Sequence, residues 1–266
     1  MVGSAVWNAL TDNGYTNLIG QKSADLDLRN QLEVEYFFAN KKPQVVIDAA
    51  ARVGGIMANK SYPYQFLMDN MRIQNNLIES SLAHACEKFV FLGSSCIYPK
   101  FSPQPIKEAY LLTSELESTN EAYALAKISG VKACEYIREQ FGKDYSSLMP
   151  TNLYGPRDNF DLETSHVLPA MITKFHEAKL NNHEPVTLWG TGSPKREFLH
   201  VDDLAKAVLF SLENKLPDNL YNIGTGEDIS IYELANLIQE IVGHEGEINW
   251  DSEKPDGTPR KLLDVS

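Results

Sequence analysis

The 266-residue chain is 43% hydrophobic and 23% charged, the composition of a globular protein of one or two domains, and no apolar run approaches the ~20 residues of a membrane span. Its formal charge of −12 argues against non-specific binding to nucleic acid or to an anionic bilayer; a small anion would need a local cluster of donors. Three cysteines (Cys86, Cys96, Cys134) without a CxxC argue against a disulfide framework or a structural zinc, and with no basic secretory leader at Met1 the expected location is the cytoplasm.

The chain opens inside a predicted helix, residues 3–13, which Asp12, Asn13 and Gly14 stop. A strand at 15–20, a helix at 31–40, a strand at 45–48 and a helix at 64–86 follow. Next come a strand at 88–93, a helix at 122–141 and a strand at 145–149. The strands are short and apolar on both faces, as strands covered by helices on both sides should be. The alternation predicts an α/β fold with a doubly wound parallel sheet of the Rossmann type. Further helices at 167–179, 201–213 and 231–242 are separated by short strands and Gly/Pro loops. Residues 1–150 are therefore expected to form a dinucleotide-binding domain. Residues 151–266 are expected to form mainly a smaller α/β substrate lobe, interleaved with the first domain. A doubly wound domain normally opens with a strand, and Gly3 stands where the third glycine of G-x-x-G-x-x-G would be. The first strand and two earlier glycines are thus expected before Met1, and a closing helix beyond Ser266. The alternative is a different fold that begins at Met1.

Tyr123-Ala-Leu-Ala-Lys127 places a phenol and an ammonium one turn apart on one helix face. A nearby Lys⁺ should lower a phenol from its reference of about 10, which suits proton exchange with an alcohol oxygen. The spacing alone is weak, and an amphipathic helix with a surface lysine would show it too. Upstream, the apolar run Phe89-Val-Phe-Leu92 ends in Gly93-Ser-Ser-Cys96. Strand ends in an open α/β sheet face the ligand crevice, so Ser94 can hydrogen-bond the oxygen that Tyr123 protonates.

With these motifs the chain resembles the extended short-chain dehydrogenase/reductase family. Further matching stretches are Ala49-Ala-Ala-Arg-Val-Gly-Gly55, Met149-Pro-Thr-Asn-Leu-Tyr-Gly-Pro156, Arg196-Glu-Phe-Leu-His-Val-Asp-Asp203 and Lys254-Pro-Asp-Gly-Thr-Pro-Arg-Lys-Leu-Leu263. Within the family, Ser-Ser-Cys followed later by Asn159 and Ser165-His166 is similar to a bifunctional branch. That resemblance implies epimerisation at C3 and C5 of GDP-4-keto-6-deoxy-mannose and reduction of C4 with NADP(H), giving GDP-L-fucose. Protons α to a ketone can be removed when donors hold the enolate oxygen, and inversion needs acid/base groups on both ring faces. The resemblance implies Cys96 and His166 in these roles, beside the catalytic Ser94, Tyr123 and Lys127. A buried structural cysteine and a solvent histidine are the plain alternatives; Cys86 and Cys134 receive the plain reading.

The resemblance also carries over cofactor contacts. Gly3 would lie at the pyrophosphate, Ala49 and Ala50 at the adenosine side, and Leu92, Gly93, Ser94 and Ser95 along the nicotinamide edge. Lys127 would reach the ribose hydroxyls, Pro150, Thr151, Asn152 and Leu153 the carboxamide, and His166 the cofactor as well as the ring. Near the end of the predicted second strand only Lys22 could meet the 2′-phosphate that separates NADP from NAD. Lys174, Arg196 and Arg260 are candidate cations for the substrate pyrophosphate, with Trp189 against sugar or base and Asp256 on guanine. Glu197, Asp202 and Asp203 could be read as a metal cluster, but the two aspartates suit a helix N-terminus better, and no metal is expected. Helices 64–86 and 122–141 are apolar over more than one stripe, and the family pairs such helices, which implies a homodimer through a helix bundle. Two rivals remain: another nucleotide-sugar epimerase or dehydratase of the same family, in which Cys96 and His166 are idle, and a non-catalytic nucleotide-binding remnant.

Overall fold

The computed structural model describes residues 1–162, 164–254 and 256–266; Pro255 of the 254–263 motif lies outside the described residues. In chain order come helices α1 (Val2–Asp12) and α2 (Gln31–Lys41), strand β1 (Val45–Asp48), helices α3 (Ile56–Ser61) and α4 (Pro63–Ala83), and strand β2 (Lys88–Leu92). Helix α5 (Glu121–Phe141) leads into strands β3 (Asp144–Pro150) and β4 (Asn152–Tyr154), then helix α6 (Val167–Leu180). Strands β5 (Val186–Trp189), β6 (Lys195–Arg196) and β7 (Phe198–His200) precede helix α7 (Val201–Glu213). Strands β8 (Leu220–Ile223) and β9 (Ile229–Ser230), helix α8 (Ile231–Val242), and strands β10 (Ile248–Asp251) and β11 (Arg260–Lys261) complete the order.

The main sheet runs β1-β2-β3-β8, parallel throughout. Strand β2 is buried along its whole length: Phe89–Leu92 are apolar, and the leading Lys88 pairs with Asp144 at 3.0 Å. Alternate side chains enter opposite layers. Phe89 and Phe91 pack with Leu77 and Ile78 of α4 and Ile128 and Val131 of α5. Val90 and Leu92 pack with Val6 and Leu10 of α1 and Ala205 and Val208 of α7. Helices α4 and α5 are further tied by the buried Gln74 amide, which donates to the Ala126 carbonyl at 2.6 Å and to Ser129 Oγ at 2.8 Å. This satisfies the amide nitrogen, which would otherwise be costly to bury, while Gln74 Oε1 has no partner among the described residues. The lobe has its own core, in which Met171 and Phe175 of α6 meet Leu234 and Ile238 of α8 over Val186 and Leu188 of β5.

The predicted strand at 15–20 is not a strand: those residues run back along α1 with no ladder partner among the described residues. Backbone groups adopt a strand only where a neighbour accepts their hydrogen bonds. Here Leu18 instead joins the α1–α7 core, and the Trp7 ring packs at Gly20. Helix 64–86 stops at Ala83, because Ala85 takes a left-handed backbone (φ 57°). The boundary near residue 150 is crossed twice, since β8 pairs with β3 and α7 packs on α1.

One buried carboxylate fastens the lobe to the sheet. Glu197, 0% exposed, accepts at Oε1 from the Thr225 and Gly226 N–H groups (2.6 and 2.8 Å) and at Oε2 from Leu263 N–H (3.0 Å). Its own carbonyl receives Thr151 Oγ1 and Asn152 Nδ2. Among the described residues no three His, Cys, Asp or Glu side chains gather as metal ligands, and no helix is long and apolar enough to cross a membrane.

Candidate active site

Strand β2 delivers its C-terminal end into a tight turn. Glycine at 93 leaves room for the Met149 side chain, since a Cβ there would stand 2.0 Å from the Met149 Cε and force that side chain to move. Ser94 follows with extended backbone, and its Oγ accepts from the Cys96 N–H at 3.4 Å, capping a single 3₁₀ turn over Ser95–Ile97. That turn folds Cys96 inward, leaving it 7% exposed.

Helix α5 brings the Tyr-Lys pair to the same place. Lys127 is 3% exposed, and its Nζ donates to the Leu92 carbonyl at 2.8 Å. The ammonium lies 4.6 Å from the Phe91 ring centre and 5.9 Å from that of Tyr123. Of its three N–H groups, one is used within the described residues. The Tyr123 ring meets Phe66 edge-on at 6.3 Å.

The electrostatics differ from the expectation that Lys127 lowers the phenol. Burial pushes Tyr123 up, and Cys96 and Asp48 push it further. Burial also pulls Lys127 down, against Asp48, Cys96 and Cys134. Desolvation dominates because the phenolate would lose its water, and no lowering by Lys127 accompanies it. A phenol so placed keeps its proton and is suited to act as an acid. Burial raises the Cys96 thiol as well, opposed by Lys261, by the Ser94 hydrogen bond and by Lys127. Sequence reasoning missed Asp48. This buried carboxyl at the end of β1 takes the Ala50 N–H at 3.1 Å and leaves Oδ2 without a partner. Burial holds it above the usual carboxylate range, with Lys127 opposing; an apolar strand pattern gave no sign of it.

His166 begins α6 without capping it. Asn159 ties the preceding turn: its Nδ2 donates to Thr164 Oγ1 at 2.9 Å, and its Oδ1 receives the Asp161 N–H. His166 is exposed at the surface, and the protein packed around one side of it lowers it, with Asp158 opposing and Lys261 adding to the fall. Cys86 and Cys134 are buried; Cys86 Sγ donates to the Pro43 carbonyl, and burial pushes Cys134 up to about 12.

The groups expected to hold a dinucleotide lie along the same sheet edge. At the N-terminus of α1 the Met1 carbonyl receives the Ser4 and Ala5 N–H groups, and Gly3 stands beside Ala49. Arg157, unread in the sequence, reaches this helix end and donates to Ser4 Oγ at 3.1 Å. A helix N-terminus beside a guanidinium suits a pyrophosphate, and the spare N–H groups of buried Lys127 suit ribose hydroxyls. Thr151 and Asn152 are pinned to the Glu197 carbonyl, which fixes the turn from Pro150 to Leu153.

In the lobe, Lys174 Nζ donates to the Thr187 carbonyl at 2.9 Å, and burial lowers it. Trp189 is 53% exposed, with Lys254 Nζ 5.6 Å from its ring centre. Gly190 (φ 80°) leaves room for the Asp256 carboxylate, which accepts Thr191 N–H and Oγ1–H at 2.7 and 2.9 Å. Asp256 is thus already engaged, although a carboxylate retains further acceptor sites. Arg196 lies beside Gly257 and is lowered by burial against Asp256. Arg260 is paired with Asp228 and is not a free cation. Glu197, once grouped with Asp202 and Asp203, is spent on backbone N–H groups, while Asp202 and Asp203 open α7.

Residues 1–224 match the NAD dependent epimerase/dehydratase family. The chain is 57% identical over its whole length to GDP-L-fucose synthase 1 of Arabidopsis thaliana, covering 82% of that protein. It is 48% identical to GDP-L-fucose synthase of Escherichia coli, again over the whole chain and 86% of the relative. Among solved structures, a GDP-mannoheptose C4 reductase from Campylobacter jejuni with NADP bound superposes with a TM-score of 0.91 at 36% identity, covering 100% of this chain and 87% of that one.

Proposed function

The chain belongs to the NAD dependent epimerase/dehydratase family, and from that premise we propose that it is a GDP-L-fucose synthase. In this reading it inverts C3 and C5 of GDP-4-keto-6-deoxy-mannose and reduces C4 with NADPH. The observation that carries the reading is the turn after β2. It gathers Ser94 and Cys96 beside Tyr123 and Lys127, and His166 stands at the head of α6. A 4-epimerase would leave the thiol and the imidazole idle.

Ser94 and Tyr123 hold the C4 oxygen and so acidify the neighbouring ring protons. Cys96 takes a proton from one face of the ring, and His166 returns one from the other. When bound, NADPH supplies the hydride for C4. Tyr123, held protonated by its burial, gives its proton to the oxygen at that step, and Lys127 replaces it while gripping the ribose. Gly3, Ala49, Ala50, Leu92, Gly93, Ser95 and residues 150–153 form the cofactor bed. Lys174, Trp189, Arg196 and Asp256 take the nucleotide sugar. Residues 1–150, joined by α7 and β8, are the dinucleotide unit, and the lobe beyond is the substrate unit. The setting is the cytoplasm, where three free thiols stay reduced.

Incubation with GDP-4-keto-6-deoxy-mannose and NADPH should give GDP-L-fucose. In D₂O, Cys96→Ser should lose deuterium uptake at C3 and C5 by roughly 10²–10⁴-fold. It should still oxidise NADPH, yielding a 6-deoxy sugar of unchanged configuration. Equal uptake in parent and variant would remove Cys96 from the mechanism. The protein is also read as a homodimer through α4 and α5, supported by the exposed Tyr64, Leu125, Tyr136 and Phe141 on those helices. A monomeric mass on sedimentation would refute that assembly.

A further inference from the structure

Strand β1 stops short of the end of β2. Its last residue, Asp48, pairs with Phe91, and beyond that pair the Gly93 N–H turns to β3, where it reaches the Leu148 carbonyl at 2.9 Å. Successive residues of a strand direct their backbone groups to alternate sides, so the Leu92 carbonyl faces β1. A longer β1 would meet it with the Ala50 N–H. Instead that bond is opened, and a side chain takes each half. Asp48 Oδ1 accepts the Ala50 N–H at 3.1 Å, and Lys127 Nζ donates to the Leu92 carbonyl at 2.8 Å. Asp48 and Lys127 thus stand on the two sides of one missing ladder bond.

Partners in a parallel register point to the same face of the sheet, so Asp48 shares a row with Phe91 and Ser147, the row that α5 covers. The Phe91 ring lies 4.6 Å from Lys127 Nζ and packs against Gly130 of α5. Lys127, Tyr123 and Cys134 of α5 are the ionisable groups that face Asp48, and Cys96 faces Lys127 and Tyr123. Asp48 is 1% exposed, and its Oδ2 has no hydrogen-bond partner among the described residues. Holding the Ala50 N–H needs only an acceptor, which an amide oxygen would supply as well; the second, acidic oxygen is left over. A lone buried carboxylate is costly and a carboxylic acid is not. Burial accordingly moves Asp48 toward its acid form and Lys127 toward giving up a proton. Lys127 is 3% exposed, so its supply of protons must come from within the fold.

We propose that Asp48 is a positioning residue of the C4 reduction, a proton store that acts through Lys127. This rests on reading Tyr123 as the acid. As hydride reaches C4, the Tyr123 O–H bond breaks and the C4 O–H bond forms. A Lys127 N–H proton then passes to the phenolate, and the Asp48 O–H proton passes to the Lys127 amine. Among the described residues no ion pair joins the two at rest; the hand-over crosses the opened ladder bond, a gap that one water or a swing of the ammonium closes. Asp48 is left as a carboxylate opposite an ammonium and regains its proton from water when the product leaves. One hydride and one proton are consumed for each ketone reduced. When rising pH takes the Asp48 proton, its carboxylate still holds Lys127 in the charged form. The two therefore titrate as a pair and sustain reduction further into alkali than Lys127 alone would.

The test is the pH dependence of kcat for NADPH-dependent reduction of GDP-4-keto-6-deoxy-mannose in the parent, Asp48→Asn and Tyr123→Phe, with far-UV circular dichroism reporting that each variant is folded. Asparagine keeps an acceptor for the Ala50 N–H and has no proton to give. In Asp48→Asn, kcat at neutral pH should fall about tenfold with KM unchanged, and the alkaline fall should begin at lower pH. Deuterium uptake at C3 and C5, which bypasses Asp48, should stay parental. Parental kcat with an unmoved limb in Asp48→Asn would leave the carboxyl a mere cap of the strand end and overturns the proposal. So does a loss confined to KM, or one shared equally by ring-proton uptake. The infrared spectrum of the parent at neutral pH should carry the carbonyl band of a buried carboxylic acid. If Asp48→Asn does not fold, that spectrum decides, and lack of the band overturns the proposal. A parental reduction rate in Tyr123→Phe brings down the reading of Tyr123 as the acid, a result distinct from an unmoved limb in Asp48→Asn.

Discussion

Ser94 and Cys96 follow β2, which is packed between two apolar layers, and Lys127 rides on α5, which packs on the sheet, whereas Lys174, Trp189, Arg196 and Asp256 stand on a lobe whose strands run two to four residues. Lys127 is 3% exposed and Trp189 53%. Side chains that move a proton act only over a hydrogen-bond length, so they gain from elements that cannot shift. A polyanionic ligand is held by longer-range attraction, which tolerates a softer frame. Damage to the first region should therefore appear as lost turnover, and damage to the second as weakened binding.

The largest effect tests that contrast most directly. Tyr123→Phe should cut C4 reduction by roughly 10²–10⁴-fold while ring-proton exchange continues, measured by NADPH oxidation alongside deuterium uptake. A parental reduction rate would break the assignment. Next in size, Arg196→Met should raise KM for the nucleotide sugar by about ten- to a hundredfold, the worth of one charge-assisted hydrogen bond, with kcat little changed. Arg196→Lys should recover only part of it, lacking the fork geometry. A fall in kcat instead would place Arg196 with the proton-moving group.

The smallest effect lies at the rim of the recess beside Cys96, where Lys100 pairs with Glu117 at 2.9 Å. Burial pushes Glu117 up, but Lys100 and the Thr119 N–H and hydroxyl hold it below the usual glutamate value. A carboxyl lowered on folding contributes stability that is complete above its unfolded value and is lost as pH falls through its folded one. Glu117→Gln should cost about 1 kcal/mol near neutrality and progressively less in acid, read from urea midpoints across pH. An equal cost at all pH values would mean that packing, and not charge, holds this rim.

Much of the frame was legible in the sequence because one physical cause dominated each segment. Strand β1 and helices α7 and α8 fall on their expected residues, since their apolar periodicity and flanking caps agree. Residues 15–20 were misread because an apolar run states a wish for burial and not a ladder partner. Motif spacing and resemblance brought Ser94, Cys96, Tyr123 and Lys127 to notice. The charge states of the group were beyond reach, because they depend on desolvation and on side chains distant in sequence. Asp48 and Lys261 are the examples: one looks like the polar end of a strand, the other like one basic residue in a tail motif. Arg157 was hidden for the same reason, since its partner Ser4 lies on α1.

The wall that carries Lys261 is joined to the turn after Cys96 by contacts such as Gln104 Oε1 with Leu262 N–H, 158 residues apart. On the ribosome the strand-end turn emerges long before residues 260–263, and chains fold from the N-terminus as they are made. During synthesis Cys96 therefore stays outside its enclosed recess, whose far wall is formed by residues 258–261. The recess around the thiol closes only when that wall docks, so one site is assembled from segments that leave the ribosome far apart in time.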